Sequence, residues 1–151
     1  MDYFLDTCIE VGYVFCTDPW NDESVEVFND NDYLNYSHTV KMEFNQKSWQ
    51  VDLEEEIDER KRAFESKVMI HTRHDKYQEL YDKLEENGIH YPDNHIVLDA
   101  HDLSLKRNIT LEFITADKNM VTNVNCLVDL LNINKFHYLK ILLINYRNPT
   151  K

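Results

Sequence analysis

Apolar positions recur along this chain with two different periods. Short runs such as YFL at 3–5, YLNY at 33–36 and LEFIT at 111–115 are compact enough for strands, whereas Ile9, Val11, Val14 and Phe15 recur at near-helical spacing. The pattern predicts a strand over 3–6 and then a helix, turn signals in TDPWNDES at 17–24, and a second amphipathic segment over SVEVFND. A strand over 33–37 leads into a helix through HTVKMEFNQKSW, with Val40, Phe44 and Lys47 on one side and Glu43 about one turn in. VDLEEEIDERKRAFESK at 51–67 predicts a long polar helix with a solvated face, supported by Glu56 with Arg60 and Asp58 with Arg62 at i, i+4. Residues 74–87 predict another helix, with Tyr77, Leu80, Tyr81 and Leu84 as its buried stripe and Gly88 just past its end. Pro92 and Asp93 open the next, in which Ile96, Val97, Ala100, Leu103 and Leu105 make one face up to Lys106, Arg107 and Asn108. LEFITA at 111–116 is followed by a short helix or turn through DKNMVTNVN, an apolar CLVDLLNI, and FHYLKILLI as the last strand.

Strands alternating with helices predict an α/β sandwich around a mostly parallel sheet joined by right-handed crossovers. The 151 residues suit one domain. The longest apolar runs, such as ILLI at 141–144, fall far short of the ~20 residues that cross a bilayer. Asp2 and Asp6 stand where a signal peptide would be basic, and three cysteines, Cys8, Cys16 and Cys126, show no CxxC spacing, so a reducing cytoplasm is the expected home. Cys8 and Cys16 read as small buried apolar residues on the first helix.

A formal charge of −12 argues against a broad basic surface for nucleic acid, so any such contact must be local. Two glycines cannot build a Gly-rich phosphate loop, which excludes dinucleotide binding and P-loop hydrolysis. No Ser or Cys has a histidine at informative spacing, so a covalent hydrolase is unsupported. His71, His74, Asp75, His90 and His95 lack the Cys or tight second pair of a zinc site and read as surface residues.

The chemistry lies in the carboxylates. The strands at 3–6 and 111–116 each run into an Asp at their C-terminal edge, where open α/β sheets place their ligand crevice, so parallel neighbours would bring Asp6 and Asp117 together. Asp99, 18 residues before Asp117, faces the same crevice if the N-terminal half of its helix lies over the strand ends, and Glu43 can project toward the same edge. Read singly, each strand-end Asp is a helix N-cap and Glu43 a solvated helix residue. Together, unpaired carboxylates in one cleft repel each other and resist desolvation, an arrangement that calls for a cation. An all-oxygen set without organised His or Cys suits Mg²⁺ or Mn²⁺. Such an ion also recruits a polyanion that the overall charge would repel.

These pieces, taken in order, resemble the PIN-domain ribonucleases, which include the VapC toxins. YFLDTCI is similar to the family's opening motif, SHTVKMEF to its second, IVLDAHDLSL to its third and EFITADKNM to its fourth, over roughly residues 3–140. The resemblance implies a three-layer α/β/α sandwich around a five-stranded parallel sheet, often dimeric, that cuts single-stranded RNA with Mg²⁺ or Mn²⁺ and leaves a 5′-phosphate and a 3′-hydroxyl. In that scheme Asp6, Asp99 and Asp117 hold the ions, Glu43 binds a second ion or orients the attacking water, and Thr7 and Thr115 position carboxylates through their hydroxyls. An antitoxin partner is implied for the toxin branch. Two departures stand out: residues 50–90 are long and charged, an added helical hairpin or lid where substrate choice could reside, and Asp102 offers an alternative third acid one turn after Asp99.

Positive charge gathers only in ERKRAFESKVMIHTRHDK at 59–76 and SLKRN at 104–108, where Lys106 and Arg107 are candidate RNA contacts and surface salt bridging is the plainer use. Tyr13 and Trp20 could stack bases near the crevice. The competing reading is a catalytically silent PIN-like module that binds RNA or protein. A haloacid-dehalogenase-like phosphatase would show Asp-x-Asp where this chain has Asp6, Thr7 and Cys8, and a receiver would carry an acidic pair near its N-terminus and a Lys after the last strand.

Overall fold

The computed structural model describes residues 1–48 and 55–139. The expected helix start at 51–54 and the apolar run at 141–144 lie outside them. Five strands, β1 (Asp2–Leu5), β2 (Leu34–Ser37), β3 (Met69–His71), β4 (Leu111–Thr115) and β5 (Lys135–Tyr138), form one sheet in the order β3-β2-β1-β4-β5. Every pairing is parallel. The helices are α1 (Thr7–Val14), α2 (Asn21–Asp30), α3 (His38–Ser48), α4 (Glu55–Lys67), α5 (Gln78–Glu86), α6 (Asp93–Arg107), α7 (Lys118–Val124) and α8 (Val128–Leu131).

From β1 the chain steps outward to β2 and β3, then returns past β1 to β4 and β5. Right-handed crossovers therefore place α1 to α4 on one face and α5 to α8 on the other. The packing of α1 on α2 and α4, and of α5 on α6, accords with this. The direction of winding reverses between β1 and β4, which makes the C-terminal ends of those two strands the topological switch point where open parallel sheets form their crevice.

Registered partners set the two faces of the sheet. Leu5, Tyr36 and Ile114 share one face, and Phe64 of α4 stands edge-on to Tyr36 with ring centroids 5.4 Å apart. Phe4, Phe113 and Phe136 share the other, with successive centroids 5.9 and 5.0 Å apart. Ile96, Val97, Ala100 and Leu103 of α6 are fully buried, as expected, whereas Leu105 turns out to be 47% exposed.

Residues 55–71 are woven into this sandwich. Phe64 and Val68 are core residues and 69–71 form the edge strand, so α4 buries more than a solvated face suggests. Arg60 does not reach Glu56; its Nε donates to the Val14 carbonyl at the end of α1, 2.7 Å away, while Asp58 and Arg62 do pair at 2.7 Å. The glycine expected past 74–87 closes α5: Gly88 has φ +82°, its N–H donates to the Glu85 carbonyl, and the Ile89 N–H donates to the Leu84 carbonyl, a Schellman cap with Leu84 and Ile89 both buried. With so few glycines, Asn108 and Asn132 take the left-handed positions that end α6 and α8.

Candidate active site

The last ladder bond between β1 and β4 runs from the Asp6 N–H to the Ile114 carbonyl at 3.0 Å, which sets Asp6 opposite Thr115. Asp6 leaves the strand in extended conformation and caps α1, its Oδ1 accepting the Thr7 N–H at 2.8 Å. Its Oδ2 accepts the Thr115 hydroxyl at 2.7 Å, and the same hydroxyl oxygen accepts the Asp117 N–H at 3.0 Å. Asp117 caps α7 with Oδ1 alone, which takes the Asn119 and Met120 N–H groups at 3.0 and 3.2 Å. The Thr7 hydroxyl donates to Glu43 Oε2 at 3.0 Å. Cys8 is not buried away from this chemistry: its Sγ lies 3.7 Å from both Asp6 Oδ2 and the Thr115 hydroxyl, and accepts the Ala116 N–H at 3.1 Å.

The N-cap role and the cleft role of Asp6 and Asp117 thus coincide, because capping fixes each carboxylate at a helix start over the strand ends. A cavity of about 240 Å³ opens there, lined by Asp6, Thr7, Glu43 and Asp117, as expected, together with Cys8, Val11, Asp18, Trp20 and Asp93. Asp6 is 5% exposed, and burial raises its pKa. The Thr115 and Thr7 hydrogen bonds oppose that rise, and the nearby charges of Glu43 and Asp117 add to it. Trp20 fills the expected place; its ring stands edge-on to Tyr138 at 5.7 Å. Tyr13 does not, since it packs 4.1 Å from Phe28 in the flank of the core. Cys16 is exposed.

Asp93 was readable only as the residue that opens a helix. A crossover helix entering a parallel strand runs antiparallel to it, so the start of α6 lies over the C-terminal strand ends and its far end over the opposite edge. Asp93, in the first turn, faces the acid cavity. Asp99, six residues on and roughly 120° around the helix axis, lines the neighbouring cleft of about 150 Å³ with His38, Thr39, Thr72 and Arg73. Its Oδ1 is 3.2 Å from Arg73 Nη1 and its Oδ2 accepts the Thr39 hydroxyl at 3.4 Å. Burial lifts its pKa to about 6, with Arg73 pulling the other way. Asp99 thus stands in a cleft adjoining the cavity of Asp6, paired with Arg73, and not among the residues that line that cavity.

Asp102 lies on the opposite side of α6 from Asp93. It is fully buried and accepts from His71 Nε2 at 2.8 Å and from the Tyr77 hydroxyl, with Lys106 Nζ at 3.6 Å. This network ties the 69–77 segment to α6, so neither Asp102 as a site acid nor His71 as a surface residue stands. Lys106 is held by Asp75 and Asp102, and it and Arg107 end α6, roughly 20 Å along the axis from Asp93. They are not placed to contact a strand in the acid cavity.

Hard carboxylate oxygens with a neutral thiol beside them suit Mg²⁺ or Mn²⁺ rather than zinc. Among the described residues no three His, Cys, Asp or Glu side chains converge closely enough to ligate one ion directly. An ion held in the cavity would have to be bound partly through water, as Mg²⁺ commonly is. No helix among the described residues is long and apolar enough to cross a membrane.

No family model matches the sequence, and no curated protein matches it. Solved structures do. The chain is similar to VapBC2 from Rickettsia felis, whose structure was determined bound to a DNA fragment from their promoter, with 20% identity and a TM-score of 0.57 over 91% of this chain and 98% of that one. It is similar also to PAE2754 from Pyrobaculum aerophilum, with 10% identity and a TM-score of 0.58 over 98% of this chain and 91% of that one. At these identities the likeness establishes the fold alone, an α/β sandwich around five parallel strands.

Proposed function

We propose that this chain is a metal-dependent endoribonuclease of the PIN type, hydrolysing phosphodiester bonds of single-stranded RNA, and the toxin of a toxin–antitoxin pair. The observation that carries the reading is the cavity at the switch point, where Asp6, Glu43, Asp93 and Asp117 come from four separate parts of the chain. Asp6, Asp117 and Asp93 would hold Mg²⁺ or Mn²⁺. When bound, such an ion polarises a phosphate oxygen and supplies the positive charge that a chain of net −12 lacks. Glu43, which accepts the Thr7 hydroxyl, would take a proton from the attacking water on this reading. The Thr115 hydroxyl donates to Asp6 and favours its carboxylate form against burial, and Arg73 with Asp99 forms the adjoining wall. Cleavage on this reading leaves a 5′-phosphate and a 3′-hydroxyl. The neighbour from Rickettsia felis, a VapBC2 structure, supports an antitoxin partner, and a homodimer accords with the resemblance.

The lack of three directly converging ligands among the described residues favours a second reading, a catalytically silent PIN-like module that binds RNA or protein. One experiment separates the two. Purified protein is incubated with mixed-sequence single-stranded RNA and Mn²⁺, wild type beside Asp6→Asn. Cleavage by the wild type alone supports the nuclease; cleavage by both, or by neither across metals and substrates, removes it.

A further inference from the structure

Beyond the acid cavity, the surface continues as a groove whose successive compartments share walls. Glu43 lines both the acid cavity and a second one of about 430 Å³, formed by Met42 and Gln46 of α3 on one side and Tyr91, Pro92 and His95 on the other. His95 in turn borders a third, of about 460 Å³, that holds Arg73, His74, Asp75 and Lys76.

The middle compartment has unusual walls. Tyr91 is 68% exposed and Met42 50% exposed, large apolar side chains facing solvent beside a polar cleft. The Tyr91 ring stands perpendicular to that of His95, with centroids 5.0 Å apart, and Tyr81 approaches His95 from elsewhere at 6.1 Å. Gln46, His38 and Thr39 add hydrogen-bonding groups at the rim. Planar and soft apolar surfaces flanked by amide, hydroxyl and imidazole groups match a nucleobase, which offers a π-face and a polar edge. Lys76 and Arg73, the latter also paired with Asp99, are the cations of the third compartment and can meet a phosphate further along the same strand, in a protein of net charge −12.

We infer that the cleft between Met42 and Tyr91 is a base-binding subsite for a nucleotide flanking the cut phosphate of single-stranded RNA, with Tyr91 as its stacking platform. The inference rests on the nuclease reading for the position of the cut, but the binding it describes can be measured without cleavage. Burial and the nearby Arg73 hold the His95 pKa below its usual value, which favours the neutral ring.

The test titrates protein into a six-nucleotide single-stranded RNA carrying 2-aminopurine at each position in turn, with Ca²⁺ replacing Mg²⁺. Stacking quenches the probe. Wild type is expected to quench at one position, Tyr91→Ala to lose that quenching and bind roughly tenfold more weakly, and Tyr91→Phe to restore both. Met42→Ala serves as a second variant on the facing wall and should weaken binding in the same direction. With Mn²⁺, Tyr91→Ala should raise KM while kcat changes less than about twofold. Unchanged affinity and quenching in Tyr91→Ala overturn the inference, as does a failure of the wild type to bind. An arginine-rich peptide titrated in parallel is the control, and a Tyr91→Ala loss confined to that peptide, with RNA binding intact, also overturns the inference by assigning the cleft to a protein partner. Position-dependent quenching without any cleavage would sustain the subsite while removing the nuclease reading; cleavage with Tyr91-independent KM and quenching would do the reverse.

Discussion

Thr115 and Asp6 are 109 residues apart in sequence, yet the threonine hydroxyl donates to the aspartate Oδ2 at 2.7 Å inside a buried pocket. That hydroxyl also accepts the Asp117 N–H, so one side chain couples two acids of the site. Replacing Thr115 with Val removes the donor while keeping the β-branched shape. Asp6, already pushed upward by burial, should then rise further. Metal affinity and cleavage rate should fall 10- to 100-fold, read by Mn²⁺ titration calorimetry and RNA turnover. Thr115→Ser should recover most of the loss.

Asp93 and Asp102 lie on opposite sides of one helix and should fail differently. Asp93→Asn should abolish or sharply reduce cleavage with little change in Tm, because Asp93 is half-buried in the first turn of α6 at the cavity wall. Asp102→Ala should lower stability by about 1–3 kcal/mol, since it leaves His71 and the Tyr77 hydroxyl without their acceptor. Burial alone would raise the Asp102 pKa, but bonds from Tyr77 and His71 and the charge of Lys106 bring it below the ordinary value. Its contribution is therefore present above about pH 4 and lost as pH falls through the depressed pKa. Thermal melts and RNA assays on both variants check the pair, and an inactive but fully stable Asp102→Ala would reverse the assignment.

These two aspartates show what could and could not be seen in the residues alone. The strands at 2–5, 34–37 and 111–115 announce themselves as short apolar runs, and Asp6 and Asp117 follow from their position at strand ends. β3 escapes notice because it is three residues long, follows a charged helix and leaves Met69 and Ile70 exposed at the sheet edge. Asp93 hides because an acid in the first turn of a helix has an ordinary dipole role. The signal that would have found it was topological: a helix returning to a parallel strand begins over the C-terminal strand ends, which also places Lys106 and Arg107 at the wrong edge.

Glu10 is 1% exposed, and neither carboxylate oxygen has a hydrogen-bond partner among the described residues. Burial raises its pKa to about 8, helped by Glu65 and opposed by Lys61 and Lys41. Unfolded Glu10 ionises near its ordinary 4.5, so between about pH 4.5 and 8 unfolding releases a proton and stability falls as pH rises; above 8 the loss is complete. Glu10→Leu should therefore raise Tm, and by more at pH 8 than at pH 5. An equal shift at both values would mean the gain comes from packing alone.

Gly88 closes α5 at φ +82°, a conformation that costs an L side chain about 1 kcal/mol. A Cβ there would meet only the Asn123 amide nitrogen, at 3.6 Å, so the penalty is one of backbone and not of space. Gly88→Ala should lower Tm by about 2–4 °C, and Gly88→Asn by less.

The position of β1 at the centre of the sheet bears on how the protein emerges during synthesis. Made before either neighbour, β1 must pair on one side with β2 and on the other with β4, which is not translated until after residue 110. Such long-range parallel pairing closes slowly. A nascent chain ending before β4 lacks Thr115, Asp117 and the neighbour that positions Asp6. On the nuclease reading, the site is thus incomplete on the ribosome-bound fragment and is assembled late, when the middle of the sheet is filled.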